Sequence, residues 1–173
     1  LSKLKNKKGG WLRLWLPVGM VIPYAVGNEV HRLRIRRPEM RGIDIRYYAV
    51  PGSGMSTMIL RPEARAFVVV ESELDAILLD QEAGDLAGAV AVGSSSAKPD
   101  EYAFNVLRSS LHILVALDFD AAGAKAWKWW RSNFPDCERW PVPKGKDPGE
   151  AYKAGVNLRA WIKAGLPTGL QND

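Results

Sequence analysis

Four carboxylates in this chain follow apolar runs or turn-forming residues in a way that would let them act together. Glu71 comes directly after Phe67-Val68-Val69-Val70, and Asp118 and Asp120 come directly after the apolar stretch 112–117. Asp147 lies in Lys144-Gly145-Lys146-Asp147-Pro148-Gly149-Glu150. If strand conformation persists through Asp118-Phe119-Asp120, the two acids point the same way, because side chains two apart share a face. Two unit charges about 4 Å apart repel by roughly 4 kcal/mol at an effective dielectric near 20. Such a pair is tolerated with a shared proton or with a cation between the groups. An all-oxygen donor set suits a hard cation, so the expected cofactor is magnesium, with manganese as the alternative.

Each acid also has an ordinary structural reading. Asp120 before Ala121-Ala122-Gly123 has the form of a helix N-cap. Glu71 alone reads as a solvated acid at a strand end, and Asp147-Pro148 as a turn-initiating pair. Ser72 and Asp75 have capping-box spacing, which gives Asp75 a structural task, and Glu73 is expected to face solvent. Gly123, opening a helix, would let a phosphate approach the backbone closely.

The elements that must position these acids read as two kinds of structure. Residues 11–60 read as β structure. A strand over 21–26, the turn Gly27-Asn28 and a strand over 29–36 form a hairpin, and a third strand is expected over 43–50. Arg32, Arg34 and Arg36 alternate with Leu33 and Ile35, which puts three guanidiniums on one face. From Ala66 strands and helices alternate. Strands are expected over 67–70, 88–92, 112–117 and 138–142, with helices over 72–83, 99–110, 121–133, 150–154 and 158–164. The inner stripe of the first helix is expected at Leu74, Ile77, Leu78 and Gln81. This alternation argues an α/β fold, a parallel sheet flanked by helices after a small β-rich subdomain. The expected domains are 1–65 and 66–173. Ligands of open parallel sheets bind beyond the carboxyl ends of the strands, so the acids should meet at one edge.

Composition narrows the partners. The net charge of +5 hides 13 Lys/Arg against 4 Asp/Glu in residues 1–65 and 11 against 15 in residues 66–173. A basic half joined to an acidic half suits a protein that grips a polyanion while holding a cation nearby. One cysteine and two histidines exclude an internal disulfide framework and leave too few ligands for a zinc cluster. Cys137, between Asp136 and Glu138, is read as a structural thiol. No apolar run approaches the roughly 18 residues of a membrane span, so no membrane partner is expected and the cytoplasm is the expected compartment. A first residue of Leu points to a piece of a longer protein. Of the seven tryptophans, Trp127, Trp129 and Trp130 share a helix that must turn at least one inward, and Trp11 and Trp15 read as packing.

Three ordered segments resemble a known family. Val68-Val69-Val70-Glu71-Ser72-Glu73-Leu74-Asp75-Ala76 resembles the first motif of Toprim domains. Ala116-Leu117-Asp118-Phe119-Asp120-Ala121-Ala122-Gly123 resembles their D-x-D motif in the form seen in primases. Lys144-Gly145-Lys146-Asp147-Pro148 resembles the G-x-D-P segment of DnaG-type and phage primases, and Gly93 falls where these domains tend to carry glycine. Ile22-Pro23-Tyr24, the arginine-rich strand and Tyr47-Tyr48-Ala49-Val50-Pro51-Gly52 resemble, more loosely, the segment preceding Toprim in primases of phages and mobile elements. The chain departs from the pattern at Ser72, where Gly is common, and at Lys144 and Gly149, where acids are common. Glu150 is therefore an alternative ligand.

The resemblance implies a catalytic fragment of a primase without its zinc module. It implies template-directed synthesis of RNA primers on single-stranded DNA from ribonucleoside triphosphates, beside a replicative helicase in cis or in trans. It assigns Glu71, Asp118 and Asp120 to catalysis and, with Asp147, to the metal. Arg32, Arg34, Arg36, Lys144 and Lys146 become candidates for nucleic-acid or nucleotide phosphates, with Arg37 and Arg46 nearby. Toprim sites also serve nucleases and topoisomerases, and a non-catalytic nucleic-acid-binding module is the reading from another class.

Overall fold

The structure is a computed structural model that describes residues 8–10, 14–38, 46–94, 96–118 and 121–171, with backbone only over 121–125. The chain forms two compact units, Leu1–Ser56 and Thr57–Asp173.

The first unit is a three-stranded antiparallel sheet, β1 (Met20–Val26), β2 (Glu29–Arg36) and β3 (Tyr47–Ala49), in the order β1-β2-β3. The expected hairpin is present, and Gly27 at φ +59° supplies the left-handed turn residue it needs. The register shifts between Tyr24 and Ala25, so Tyr24 opposes Arg32 and Ile22 opposes Arg34. The third strand is described only from Tyr47, since residues 39–45 lie outside the described residues.

The second unit begins with β4 (Met58–Leu60) and β5 (Ala66–Val70), followed by α1 (Glu73–Ala83), β6 (Gly88–Ala91) and α2 (Glu101–Ser109). It continues through β7 (His112–Val115), α3 (Ala121–Asn133), β8 (Cys137–Arg139), α4 (Pro148–Lys153) and α5 (Leu158–Gly165), and ends with a 3-10 turn at Thr168–Leu170. The sheet order is β4-β6-β5-β7-β8. As expected, β5, β6, β7 and β8 run parallel; β4 adds an antiparallel edge strand on β6. All five residues of β5 are buried, as a central strand covered on both faces requires.

One face carries Phe67, Val69, Val90, Ile113 and Val115 against Ala103 and Leu107 of α2 and Ala126 and Trp130 of α3. Trp130 is fully buried and stacks on Phe134 at 5.4 Å. Trp129 meets it edge-on and lies under the Lys98 ammonium at 4.2 Å. The opposite face packs α1, α4 and α5. There the Trp140 indole donates to the Trp161 carbonyl (3.1 Å) and the Trp161 indole to the Pro141 carbonyl (3.2 Å). A Cβ at Gly165 would stand 2.7 Å from the Trp140 ring. These contacts tie the chain leaving β8, which leads to Asp147, onto α5.

The inner stripe of α1 differs from expectation. Glu73, Ala76, Leu79 and Ala83 are buried, while Ile77 is 39% exposed. Glu73, expected in solvent, is 2% exposed. The helix is apolar on several sides because it contacts three strands and two helices, so no single stripe marks its inner face. Trp15 also differs: it is 57% exposed, although its ring lies edge-on to Tyr48. Trp11 lies outside the described residues.

Trp130→Ala is expected to lower unfolding free energy by about 3–5 kcal/mol, read as a reduced urea midpoint. Trp130→Phe should cost less, because the buried indole N–H has no acceptor among the described residues.

Candidate functional site

The strand order sets the site. From β5 the chain crosses to β6 on one side, then returns past β5 to β7 on the other. The crevice beyond the carboxyl ends of β5 and β7 is thus a topological switch point. Glu71 follows β5 and Asp118 follows β7, and both are half-buried. The pairing of Val69 with Val115 brings these ends side by side. The Asp118 backbone N–H donates to Glu71 Oε1 at 3.3 Å. The Gly93 N–H, beyond β6, donates to the Glu71 carbonyl at 2.8 Å; Gly93 takes φ +91°, which favours glycine there.

Asp147 arrives on a tightly specified loop. It is the N-cap of α4, and its Oδ1 accepts the Glu150 N–H at 2.7 Å. Pro148 occupies the first helical position, where its missing N–H is no loss. Glu150 Oε2 accepts the Lys146 N–H at 3.1 Å, and Glu150 Oε1 lies 4.0 Å from the Lys146 ammonium. Gly145 at φ +79° would place a Cβ 2.7 Å from that of Glu150. Glu150, an alternative ligand by sequence, therefore holds the loop together.

Electrostatics join these pieces. The Asp118 carboxyl is pushed up to about 6, first by burial and then by the negative charge of Glu71. Asp147 and Asp75 push in the same direction, and Lys146 pulls against them. The charges of Glu71 and Asp147, two of the other three sequence-chosen acids, thus reach Asp118. Asp120, the fourth, lies outside the described residues together with Phe119.

Asp75 is the residue that sequence reasoning undervalued. Ser72 caps α1 and accepts the Asp75 N–H at 3.1 Å, as the spacing predicts. The carboxylate has a second, long-range contact: Asp75 Oδ1 accepts the Gly149 N–H at 3.0 Å. The only sequence signal for it was the absence of a side chain at Gly149.

The basic candidates separate by position. Arg32 is 6% exposed, donates to the Ser56 carbonyl and lies over the Tyr24 ring. Arg34 is half-buried with its guanidinium over Tyr47, and Arg37 lies over Trp15. Arg36 and Arg46 are exposed. Lys144 and Lys146 are exposed on the Asp147 loop. At the opposite edge of the sheet, a cavity of about 450 Å³ is lined in part by Arg108, His112 and Cys137. The Cys137 thiol is pushed up to about 11, chiefly by burial, with Asp136 only a small contributor. It stays protonated at neutral pH.

Among the described residues no three His, Cys, Asp or Glu side chains form a metal-holding group. The donor chemistry nevertheless fits a hard cation: Glu71, Asp118 and Asp147 offer carboxylate oxygens. The Asp118 carboxyl is raised by burial first and then by the charges of Glu71 and Asp147, which Lys146 only partly offsets.

Residues 68–152 match the Toprim-like family. This segment resembles a Toprim-like domain. No curated protein matches the sequence. Among solved structures, the zinc-binding and RNA polymerase domains of the Aquifex aeolicus primase share the fold at TM-score 0.63 and 22% identity, over 87% of this chain and 43% of that one. The primase fragment of the bacteriophage T7 primase-helicase protein gives 0.65 and 18%, over 85% and 61%. The RNA polymerase domain of Mycobacterium tuberculosis primase DnaG in complex with double-stranded DNA gives 0.66 and 18%, over 94% and 56%. The chain therefore spans about two fifths to three fifths of these neighbours. The fold is the expected one, a mostly parallel sheet flanked by helices with a separate antiparallel sheet. No helix among the described residues is long and apolar enough to cross a membrane.

A raised folded-state pKa at Asp118 means its protonated form favours folding. That contribution is full below the ordinary value of 3.8 and is lost as pH rises through about 6. In metal-free protein, Asp118→Asn lacks this loss. Its melting temperature should match the wild type near pH 4 and exceed it by a growing margin to pH 7, then by a constant one.

Proposed function

We propose that this chain is the catalytic part of a DNA primase, joining ribonucleotides into short RNA primers on a single-stranded DNA template. The observation that carries this reading is the meeting of Glu71 and Asp118 at the carboxyl edge of a Toprim-like sheet, within reach of the charge of Asp147. The fold neighbours named above are primases, and one was solved with DNA.

Magnesium, or manganese in its place, supplies when bound the positive charge that stabilises a triphosphate and acidifies an attacking hydroxyl. Glu71, Asp118 and Asp147 would hold it, with Asp120 as the fourth acid. Asp118 is ionised above about pH 6, so the site is competent at neutral pH. Lys146, whose charge reaches Asp118, and Lys144 on the same loop would bind triphosphate oxygens. Arg34 and Arg36 would take template phosphates, which fix position without reading sequence. Arg32, bonded to the Ser56 carbonyl, supports that surface from within. In this reading the unit up to Ser56 is the basic subdomain and the unit from Thr57, which includes β4, the catalytic domain. The setting is cytoplasmic replication of a phage or mobile element, with a helicase fused or separate; the T7 neighbour is a fragment of a primase-helicase.

The test incubates the protein with single-stranded DNA, labelled ribonucleoside triphosphates and magnesium or manganese. Primer-length products are expected from the wild type, falling to background for Asp118→Ala and Asp120→Ala. Shortened DNA without synthesis would replace the proposal with a nuclease. Absence of products together with unchanged magnesium binding in the double variant would leave a non-catalytic nucleic-acid-binding module.

A further inference from the structure

We propose that Asp75 is a positioning residue of this site and not a metal ligand: it braces the start of α4, which carries Asp147, against the start of α1, which follows Glu71. The proposal rests on the metal-binding reading above.

Asp75 is the third residue of α1 and is 8% exposed. In a capping box the acid at this position reaches back to the backbone N–H of the cap. Here Asp75 Oδ2 instead accepts the Ser72 hydroxyl at 2.6 Å, which fixes the carboxylate against its own helix end. Oδ1 is turned outward and accepts the N–H of Gly149, 74 residues away, at 3.0 Å.

That N–H is one of the donors that the start of a helix leaves without an intrahelical acceptor. In α4 the first helical residue, Pro148, has none; the second, Gly149, donates to Asp75; the third, Glu150, donates to Asp147 Oδ1. The first turn of α4 is thus completed by two carboxylates, one from its own cap and one from α1. A Cβ at position 149 would lie 3.1 Å from Asp75 Oδ1 and 3.4 Å from Asp147 Oδ1. Glycine there lets both acids approach the same backbone segment. The brace fixes the Asp147 arm relative to the β5 end, two parts of the site that no strand pairing joins directly.

Two substitutions separate a brace from a ligand. Asp75→Asn keeps an oxygen for the Gly149 N–H but removes the charge; Asp75→Ala removes both. Manganese binding is measured by electron paramagnetic resonance, and hydrogen exchange is followed at the Gly149 amide, with circular dichroism confirming the fold. Asp75→Asn is expected to bind manganese within a few-fold of the wild type and to keep Gly149 protected. Asp75→Ala is expected to weaken binding by about 10- to 100-fold, the range for losing an outer support of a metal site, and to speed exchange at Gly149. If Asp75→Ala does not fold, Ser72→Ala, which removes the donor to Oδ2, should shift both readouts in the same direction by less. Asp75→Asn binding as poorly as Asp118→Asn would make Asp75 a ligand and overturn the proposal, as would Asp75→Ala with unchanged Gly149 exchange. A wild type that binds no manganese overturns the metal reading itself, and the exchange data then still decide whether the brace exists.

Discussion

The site depends on holding like charges close together, and the sheet is what makes that possible. Glu71 and Asp118 end adjacent parallel strands, and the Asp118 peptide N–H donates to Glu71 Oε1 at 3.3 Å. That bond offsets part of the repulsion by placing a backbone dipole between the two acids. It would not hold two flexible loop ends together. It works because β5 is buried along its whole length and pairs with both β6 and β7. Apolar burial on both faces supplies stability remote from the charges, so the edge can carry an arrangement that is locally unfavourable.

The third arm of the site comes from a different source of order. The segment from Trp140 to Asp147, between β8 and α4, contains no strand or helix, yet it is fixed at several points. The two indole-to-carbonyl bonds of Trp140 and Trp161 hold its start, and Glu150 and Asp75 hold its end. Tryptophans that composition alone would offer as stacking platforms for bases are used here as anchors. This explains how an exposed run containing Lys144, Gly145 and Lys146 delivers Asp147 close enough for its charge to act on Asp118.

Much of this was legible because it depends on local rules. Strand-end position picked out Glu71 and Asp118, and Ser72-x-x-Asp75 spelled out its own cap. The Asp-Pro pair at 147–148 reads only as a turn, with the helix expected from residue 150, whereas Asp147 caps a helix that starts at Pro148. What stayed hidden needed knowledge of neighbours distant in sequence. Glu73 is buried because α1 is covered by α4 and α5 as well as by the sheet. An apolar pattern spread around a helix does not say which of its polar residues will be enclosed. Arg32 alternates with Leu33 like its neighbours, but only the structure brings the Ser56 carbonyl to it, 24 residues away. Asp75 and Gly149 meet across 74 residues, and neither announces the other. The edge strand Met58–Leu60 reads as part of the first β segment until its antiparallel register with β6 is seen.

The charge balance at the carboxyl edge points to what the fold asks of its surroundings. Lys146 is the cation whose field lowers the Asp118 pKa, and it is shared with Glu150 at 4.0 Å on the same loop. Its pull is smaller than that of Glu71 and of Asp147 in the opposite direction. A lysine on an exposed loop is also screened by water and salt, which further weakens its hold. With the fixed charges in place the Asp118 carboxyl still sits near 6, so ionising it works first against its burial and then against its neighbours. A divalent cation among carboxylate oxygens would reverse that sign, converting a repulsive cluster into a binding site. The strain of the acids and their affinity for a cation are then one property, which is why the rigid sheet and the braced loop both serve the same edge.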